Sequence, residues 1–411
     1  MNFMNKTLEK INSNIYILFY LYAISCCLSI SASTIILVLF LVLWIINTKE
    51  NFKKAPKDFL IFIIFYIWRM LTLVLNGIFS QFGRIINIWD KMPYFFVSNL
   101  KINKEQIIKF FQIIFWLNSI ILIYALLQKY TGFPSIIKSL FTPDMERFKG
   151  YFSHPLRFAG YISIVTLLSF NFAIFYSNKF LKFIPFLYLS VLLNGSRSYI
   201  ISVILTTILI SYFKSKKTFV LTIISTFLYL ILVIFLFPTL KNRVETTFDK
   251  NFVLNKANVE SQNISPQSSA SLRLNFWKAG LEIFSKSPIY GIGDGEISKY
   301  LKPYKEKGLI DNVAHAHNAY ITAAAESGII GLGIYLWLLI HFIRKYFKLA
   351  NYSQDLFEKA FAFGLFSAFL NLAIAGIFES NFSTFIIWSF LTFLMGIFHS
   401  YKIFSCRRGE I

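Results

Sequence analysis

The sequence predicts an all-α membrane protein that crosses the bilayer many times. Of its 411 residues 56% are hydrophobic and only 15% are charged, whereas a soluble globular chain carries about 25% charged residues. The mean hydropathy of +0.59 agrees with a chain that is largely surrounded by lipid. The apolar residues fall in runs of about 20, the length that a helix needs to span the hydrocarbon core.

Twelve apolar runs are candidate spanning helices, nine before the one long hydrophilic segment and three after it. They cover residues 13–30, 34–47, 59–78, 84–100, 106–127, 155–177, 180–195, 198–213, 217–238, 326–343, 358–378 and 382–401. The fourth run is the weakest, because Asp90 and Lys91 interrupt it. We therefore expect three parts: nine helices in residues 1–238, a large loop at 239–325, and three helices with a short tail in 326–411.

The net charge of +21 comes from Lys and Arg residues that lie in short clusters between the apolar runs. Such clusters mark cytoplasmic loops, and they argue against a nucleic-acid partner, which needs a continuous basic face. If the N-terminus is cytoplasmic, the clusters on that side are Lys6, Lys10; Lys49, Lys53, Lys54, Lys57; Lys101, Lys104; Lys179, Lys182; Lys214, Lys216, Lys217; Arg344, Lys345, Lys348; Lys402, Arg407 and Arg408. The pattern requires the fourth helix, and it predicts both termini inside and the large loop outside.

The large loop is predicted to contain one flexible and one ordered part. Residues 255–271 are rich in Asn, Gln and Ser, which is typical of a flexible segment. A short amphipathic helix is expected after them, because four apolar residues recur at helical spacing. These residues are Leu274, Trp277, Leu281 and Phe284. Ser287-Pro288 should end this helix, and the glycines of 291–295 predict a turn.

The predicted topology brings the unusual basic residues to one face of the membrane. They are Arg147 and His154 before the sixth helix, Arg197 between the seventh and eighth, and Arg273, His315 and His317 in the large loop. Arginine grips phosphate through a planar fork, and histidine is the side chain that titrates nearest neutrality. The cluster therefore suggests a diphosphate-linked substrate and a general acid or base.

Structural roles for the three arginines remain open at this stage. Arg197 could cap a tight interhelical turn, although an arginine between two apolar spans is expected to have a partner. Arg273 could lie on the solvated face of an amphipathic helix. Arg147 could form a surface ion pair with Glu146.

The histidines and a further arginine also have alternatives. His315 and His317 could be surface residues or metal ligands, but carboxylates at ligand spacing are missing, so no metal is expected. His317-Asn318 precedes a strong helix former, and a helix N-terminus favours anions. Arg69 lies in the middle of the third helix, where we interpret it as the structural partner of a carboxylate such as Asp90; a lipid-phosphate path is the alternative.

Four stretches of the sequence resemble the O-antigen ligase and O-antigen polymerase superfamily of bacterial inner-membrane glycosyltransferases. They are RFKGYFSHP at 147–155, NGSRS at 194–198, RLNFWKAG at 273–280 followed by SPIYGIG at 287–293, and HAHNAY at 315–320 followed by ESGIIG at 326–331. The motifs cover about residues 145–400. Twelve spans with a large loop between the ninth and tenth extend the resemblance to the whole chain.

The resemblance implies that a glycan is transferred from an undecaprenyl diphosphate carrier without a nucleotide sugar, a metal or another cofactor. The family's histidine before asparagine corresponds to His317, as the catalytic base, and its essential arginines correspond to Arg197 and Arg273, which would bind the diphosphate. The remaining assignments are Arg147 on the diphosphate, with His315, His154 and Asn318 in support.

The histidine-containing loop and the compact chain favour an O-antigen ligase, which transfers the glycan to a lipid A–core acceptor in lipopolysaccharide synthesis. A polymerase would use the same donor and a second carrier-linked repeat. The expected location is the bacterial inner membrane, multi-pass, with the site facing the periplasm. A transporter or flippase is the second alternative, but the sequence shows no internal repeat and its polar residues gather at one surface. A membrane scaffold would not need the basic cluster.

Overall fold

The computed structural model describes residues 15–46, 55–132, 139–142, 146–238, 269–310 and 315–406. Within these ranges the regular structure is helical, apart from an isolated antiparallel bridge between Phe141 and Phe148. Eight of the described helices are long and apolar enough to cross a membrane, and two shorter apolar helices precede them. The predicted class, an all-α polytopic membrane protein, is therefore confirmed.

The α-helices are numbered in chain order. The first nine are α1 (Ile15–Leu28), α2 (Ile30–Ile46), α3 (Leu60–Leu75), α4 (Pro93–Phe96), α5 (Lys104–Thr131), α6 (Pro155–Asn171, continued by a π-helical turn at Phe172–Tyr176), α7 (Ile184–Asn194), α8 (Arg197–Lys214) and α9 (Lys216–Leu236). The large loop contains α10 (Ser269–Lys286), α11 (Ile297–Tyr300) and α12 (Lys302–Glu306). The last three are α13 (Ala319–Tyr352), α14 (Leu356–Ala375) and α15 (Phe385–Cys406).

The fourth predicted run forms a broken segment instead of one regular helix. It consists of a 3-10 helix at Phe79–Asp90, the single turn of α4, and a second 3-10 turn at Val97–Asn99. The two charges that interrupt it are paired with each other, with Lys91 Nζ 2.7 Å from Asp90 Oδ2. Lys91 is fully buried and also donates to the Phe382 carbonyl at 3.1 Å. Pairing is what allows both charges inside the protein, since an unpaired buried charge is very costly.

Helices α6 and α14 form the centre of the molecule. The apolar window of α6 is 94% buried, whereas that of α9 is 11% buried, so α9 lies at the periphery. A Cβ on Gly364 of α14 would lie 2.6 Å from a Leu168 methyl carbon of α6, so glycine permits this close crossing. Buried hydrogen bonds add to the contact: Asn371 donates to Ser163 at 2.8 Å, and Ser202 of α8 donates to Asn371 at 2.6 Å.

Helix α10 contains the predicted amphipathic segment, and two of the four apolar residues that predicted it, Trp277 and Phe284, pack partly buried against the core of the large loop. The residues that it buries are Phe276, Ala279 and Ile283, and they pack in a separate small core of the large loop. Leu274 and Leu281 are 55% and 53% exposed. The spacing correctly predicted a helix. It did not decide which residues are buried, because α10 carries apolar residues on more than one face.

Helix α13 begins before the predicted run 326–343 and is broken at Gly328, where φ is 67° and ψ is −172°. The turn that follows α10 docks at this break, and Ile329 N donates to Pro288 O at 2.8 Å. A Cβ at position 328 would lie 2.1 Å from the Ile289 carbonyl oxygen. Glycine is therefore required both for the backbone conformation and for the close approach.

Part of the sequence interpretation lies outside the described residues. This applies to most of the predicted flexible stretch, 255–268, and to several members of the charge clusters, namely Lys6, Lys10, Lys49, Lys53, Lys54, Arg407 and Arg408. The side of the membrane on which each loop lies, and the division of the chain into three parts, stay predictions.

Candidate functional site

The first two family-like stretches contact each other directly. Asn194, at the end of α7, donates through Nδ2 to the carbonyls of Phe148 at 2.8 Å and Pro155 at 2.9 Å. Arg147 Nε donates in return to the Asn194 carbonyl at 3.0 Å. The loop before α6 is thus held against the turn from which Arg197 begins α8.

The third and fourth stretches meet where α10 packs on the start of α13. The ring centroids of Phe276 and His317 lie 5.0 Å apart. Asn318 caps α13, since its Oδ1 accepts the backbone N–H groups of Tyr320 and Ile321 at 2.9 Å each. His317 therefore lies just before a helix N-terminus, as predicted. Its φ of 50° is left-handed, a conformation in which few residues other than glycine are found.

Glu379 contacts residues of both groups: Ser198 of the second stretch, and Arg273 and His317 of the third and fourth stretches. It lies in the short connection between α14 and α15 and is only 4% exposed. Its Oε1 accepts from Arg273 Nη2 at 2.8 Å and from Ser198 Oγ at 3.3 Å. Its Oε2 lies 3.7 Å from His317 Nδ1, which is longer than a hydrogen bond. His317 Nδ1 is buried and has no hydrogen-bond partner within the described ranges.

Glu379 was missed by the sequence interpretation, although a signal for it was present. The predicted helices 358–378 and 382–401 leave only three residues between them, on the same side as the basic cluster. A carboxylate in so short a connection, facing several arginines and histidines, is a natural counter-ion for them.

The electrostatics of this cluster keep Glu379 charged. Burial raises the pKa of the Glu379 carboxyl, but His317, Arg273 and His315 together lower it below the usual value of 4.5. Burial and the nearby His317 lower the pKa of His315 to about 4, so His315 is neutral at neutral pH. His315 Nδ1 accepts the His317 backbone N–H at 3.3 Å, which leaves the proton of its neutral ring on Nε2.

His154 has a structural contact and a cationic environment. Its Nδ1 accepts the Leu156 backbone N–H at 3.2 Å and caps α6. Burial, Arg147 and Arg157 lower the pKa of its imidazole. The ring lines the same cavity as His315 and Glu379.

Two cavities are lined by Glu379 or by its hydrogen-bond partners. The first, about 410 Å³, is polar, and its lining includes Glu379. The second, about 320 Å³, contains the partners of Glu379, Ser198 and Arg273. Arg197 also lines it, and its apolar walls are Ile201, Leu274, Trp277 and Phe378. His317 lines neither cavity itself, but it contacts both His315 and Glu379 in the wall of the polar one.

Arg69 has a structural partner, but the suggested partner Asp90 was wrong. Arg69 Nε donates to Asp294 Oδ1 at 2.6 Å, and its Nη2 lies 3.9 Å from Glu326 Oε2. Asp90 is already paired with Lys91. The glycine turn at 291–295 places Asp294 beside α3. The two residues are far apart in the sequence, so residue spacing could not predict this contact.

The ionisable groups gathered around Glu379 are arginines and histidines. Among the residues that the structure describes, no three His, Cys, Asp or Glu side chains are grouped as metal ligands. Two arginines face one cavity, and a charged carboxylate holds one of them beside a histidine.

A protein-family comparison identifies the middle of the chain. Residues 183–336 match the family model described as O-antigen ligase. The chain carries an O-antigen ligase domain. The chain is a multi-pass membrane protein in which this region matches a family of glycosyltransferase-like enzymes, and the predicted resemblance to the O-antigen ligase and polymerase superfamily is confirmed over these residues.

The matched O-antigen ligase region runs from the start of α7 into α13. It contains Arg197, Arg273, His315, His317 and Asn318, whereas Arg147, His154 and Glu379 lie outside it. The site thus combines residues of the matched region with residues of the segments on both sides of it. No curated protein matches the chain in sequence.

Proposed function

We propose that this protein is an O-antigen ligase that transfers a glycan from undecaprenyl diphosphate to a lipid A–core acceptor during lipopolysaccharide synthesis. The observation that carries this proposal is the Glu379 junction, which connects His317 to Arg273 between two cavities of different chemistry. The proposed site faces the periplasm from the inner membrane, in agreement with the charge asymmetry of the short loops.

The apolar-walled cavity suits the lipid-linked donor. A polyprenyl diphosphate needs cationic groups for its head and apolar surface for the first units of its chain. Arg197 and Arg273 supply two guanidinium groups, and Leu274 and Trp277 are among the apolar walls. Arg273 uses one N–H on Glu379, and a guanidinium has five donors, so further donors remain for phosphate oxygens. Arg147, which is held near this turn, is the proposed third cation.

The proposed base is His317, and Glu379 positions it. With its proton on Nδ1, toward Glu379, the neutral imidazole leaves Nε2 free to accept a proton. The carboxylate then stabilises the imidazolium that forms, as an adjacent negative charge does in other histidine bases. Catalytic contacts that are long in an unliganded protein commonly tighten when substrate binds, which accommodates the present 3.7 Å.

The proposed reaction is a single displacement. The acceptor hydroxyl gives its proton to His317 Nε2 while its oxygen forms a bond to the anomeric carbon of the donor sugar. The bond from that carbon to the diphosphate oxygen breaks, and its electron pair leaves with the diphosphate. Arg197 and Arg273 stabilise the charge that develops on the leaving group. Attack from the opposite face inverts the anomeric configuration, and we expect the reaction to proceed without a metal because the diphosphate is already a good leaving group.

A transfer assay with two acceptors tests the proposal. Purified protein is given a carrier-linked glycan and either a lipid A–core acceptor or a second carrier-linked repeat, with and without a chelator. We expect transfer to the lipid A–core acceptor, insensitive to the chelator. Transfer to the carrier-linked repeat alone would identify a polymerase. Absence of transfer to both acceptors, with donor binding intact, would contradict the proposed activity.

A further inference from the structure

Two arginines in the polar cavity have neutral hydrogen-bond partners. Arg84 Nε donates to Gln81 Oε1 at 2.9 Å, and Arg157 Nη1 lies 3.4 Å from Ser153 Oγ. Neither forms an ion pair with another residue that the structure describes. By contrast, Arg69 in the same cavity is paired with Asp294.

Arg84 is held in place by the large loop. Gly295 has a φ of +76°, and a Cβ on it would lie 1.9 Å from Arg84 Cζ. The guanidinium group therefore packs directly against the backbone of the glycine turn, a position that no other residue at 295 would permit. A cation fixed by packing in this way loses less freedom when it binds an anion.

The carboxylates of the cavity interact more strongly with other cations than with these two arginines. Glu379 is bound by Arg273, and Glu326 interacts with Arg69 more strongly than with Arg84. Burial is the main cause that lowers the pKa of the His154 imidazole in the cavity wall; Arg147 and Arg157 lower it further, and Glu379 opposes them. Neutral hydrogen-bonding side chains complete the wall, among them Ser380, Ser383 and Thr384.

We propose that the polar cavity binds an acidic sugar of the glycan substrate, with Arg84 and Arg157 on its carboxylate or phosphate group. The inference rests on the proposed glycan transfer and adds to it the charge of the sugar. A cavity of about 410 Å³ that offers both guanidinium and hydroxyl groups matches a charged, hydroxyl-rich ring. The carrier diphosphate is assigned to the other cavity, whose walls are apolar.

A binding experiment with matched sugars tests this assignment. The full-length protein in lipid nanodiscs is titrated with three acidic sugars: glucuronate, galacturonate and glucose 6-phosphate. The neutral counterparts are the methyl esters of the two uronates and free glucose. The variants are Arg84→Gln, Arg157→Gln and the double substitution. The control is Arg344→Gln, an exposed arginine of α13 that does not line the cavity. Undecaprenyl diphosphate binding is measured in parallel in each variant and in Arg197→Gln/Arg273→Gln.

We expect at least one acidic sugar to bind at least about tenfold more tightly than its neutral counterpart, because charge-assisted hydrogen bonds are stronger than neutral ones. The double variant should lose this preference and keep carrier binding, while Arg344→Gln keeps both. Equal binding of every acid and its neutral counterpart to the wild type would overturn the proposal. So would a double variant that loses only carrier binding, because the anion would then be the diphosphate. These readouts do not depend on turnover, so an inactive transferase with an intact acid preference would separate this assignment from the proposed ligase activity.

Discussion

Replacing Glu379 by glutamine tests how the site works. The substitution keeps the shape of the side chain and removes a buried charge that lies 2.8 Å from Arg273 Nη2 and 3.7 Å from His317 Nδ1. We expect kcat to fall, because the imidazolium of His317 loses its counter-ion in the transition state. The KM for the donor should not rise, because Arg273 is released from Glu379 and stays free to bind the diphosphate.

The magnitude follows from the geometry. Two unit charges about 4 Å apart interact by about 4 kcal/mol at an effective dielectric constant of about 20. Desolvation offsets part of this, since burial alone disfavours the charged carboxylate. A net loss of about 2–3 kcal/mol corresponds to a roughly 30- to 150-fold decrease in kcat.

The assay is steady-state glycan transfer by purified protein at matched amounts, with Glu306→Gln as control because Glu306 is an exposed carboxylate of the large loop. Glu379→Gln is also combined with His317→Asn. If Glu379 acts through His317, Glu379→Gln should lower kcat little further in a protein that already carries His317→Asn. Additive losses in the double variant, or a fall in donor affinity with unchanged kcat, would refute the positioning role.

Three further predictions concern the neighbours of this site. Arg273→Lys and Arg197→Lys keep a positive charge but lose the planar fork, so each should still weaken donor binding, measured as an increase in KM for the carrier-linked glycan; wild-type KM in both would argue against the diphosphate site. The pKa of His315 is lowered to about 4, so between about pH 6.5 and 4 the unfolded chain binds a proton that the folded protein does not. Thermal stability should therefore fall as the pH is lowered through this range, and it should fall less in His315→Gln. Equal pH profiles of the two proteins would count against this prediction. Gly328→Ala places a Cβ against the Ile289 carbonyl in a glycine-only conformation and should cost at least about 1–3 kcal/mol of stability, seen as a lower thermal midpoint, whereas Gly333→Ala, with open space around it, should not.

Long apolar runs and short motifs were sufficient to predict much of this protein. The runs follow from the length that a spanning helix needs, and the family-like stretches led to Arg197, Arg273 and His317. The broken segment at 79–99 could not be predicted in detail, because the Asp90–Lys91 pair is stable only inside a pocket that distant helices complete.

Contacts between remote elements were the second limit of sequence reasoning. Glu379 and Arg273 lie 106 positions apart, and Asp294 reaches Arg69 across 225 positions. Helical periodicity also left the orientation of α10 undetermined, since Phe276 and Leu274 are both apolar and only the packing decides which is buried. Side-chain type predicts that an arginine or a carboxylate needs a partner, and the fold decides which one.

The most direct test of the proposed mechanism is single-turnover transfer by His317→Asn. Asparagine tolerates the left-handed backbone of position 317, so this variant removes the base without adding the strain that alanine would introduce. We expect it to insert and bind the carrier-linked donor normally but to transfer glycan about 10²–10⁴ times more slowly than the wild type, whose product has the inverted anomeric configuration. Wild-type transfer rates in His317→Asn, or retention of configuration in the wild-type product, would contradict the account.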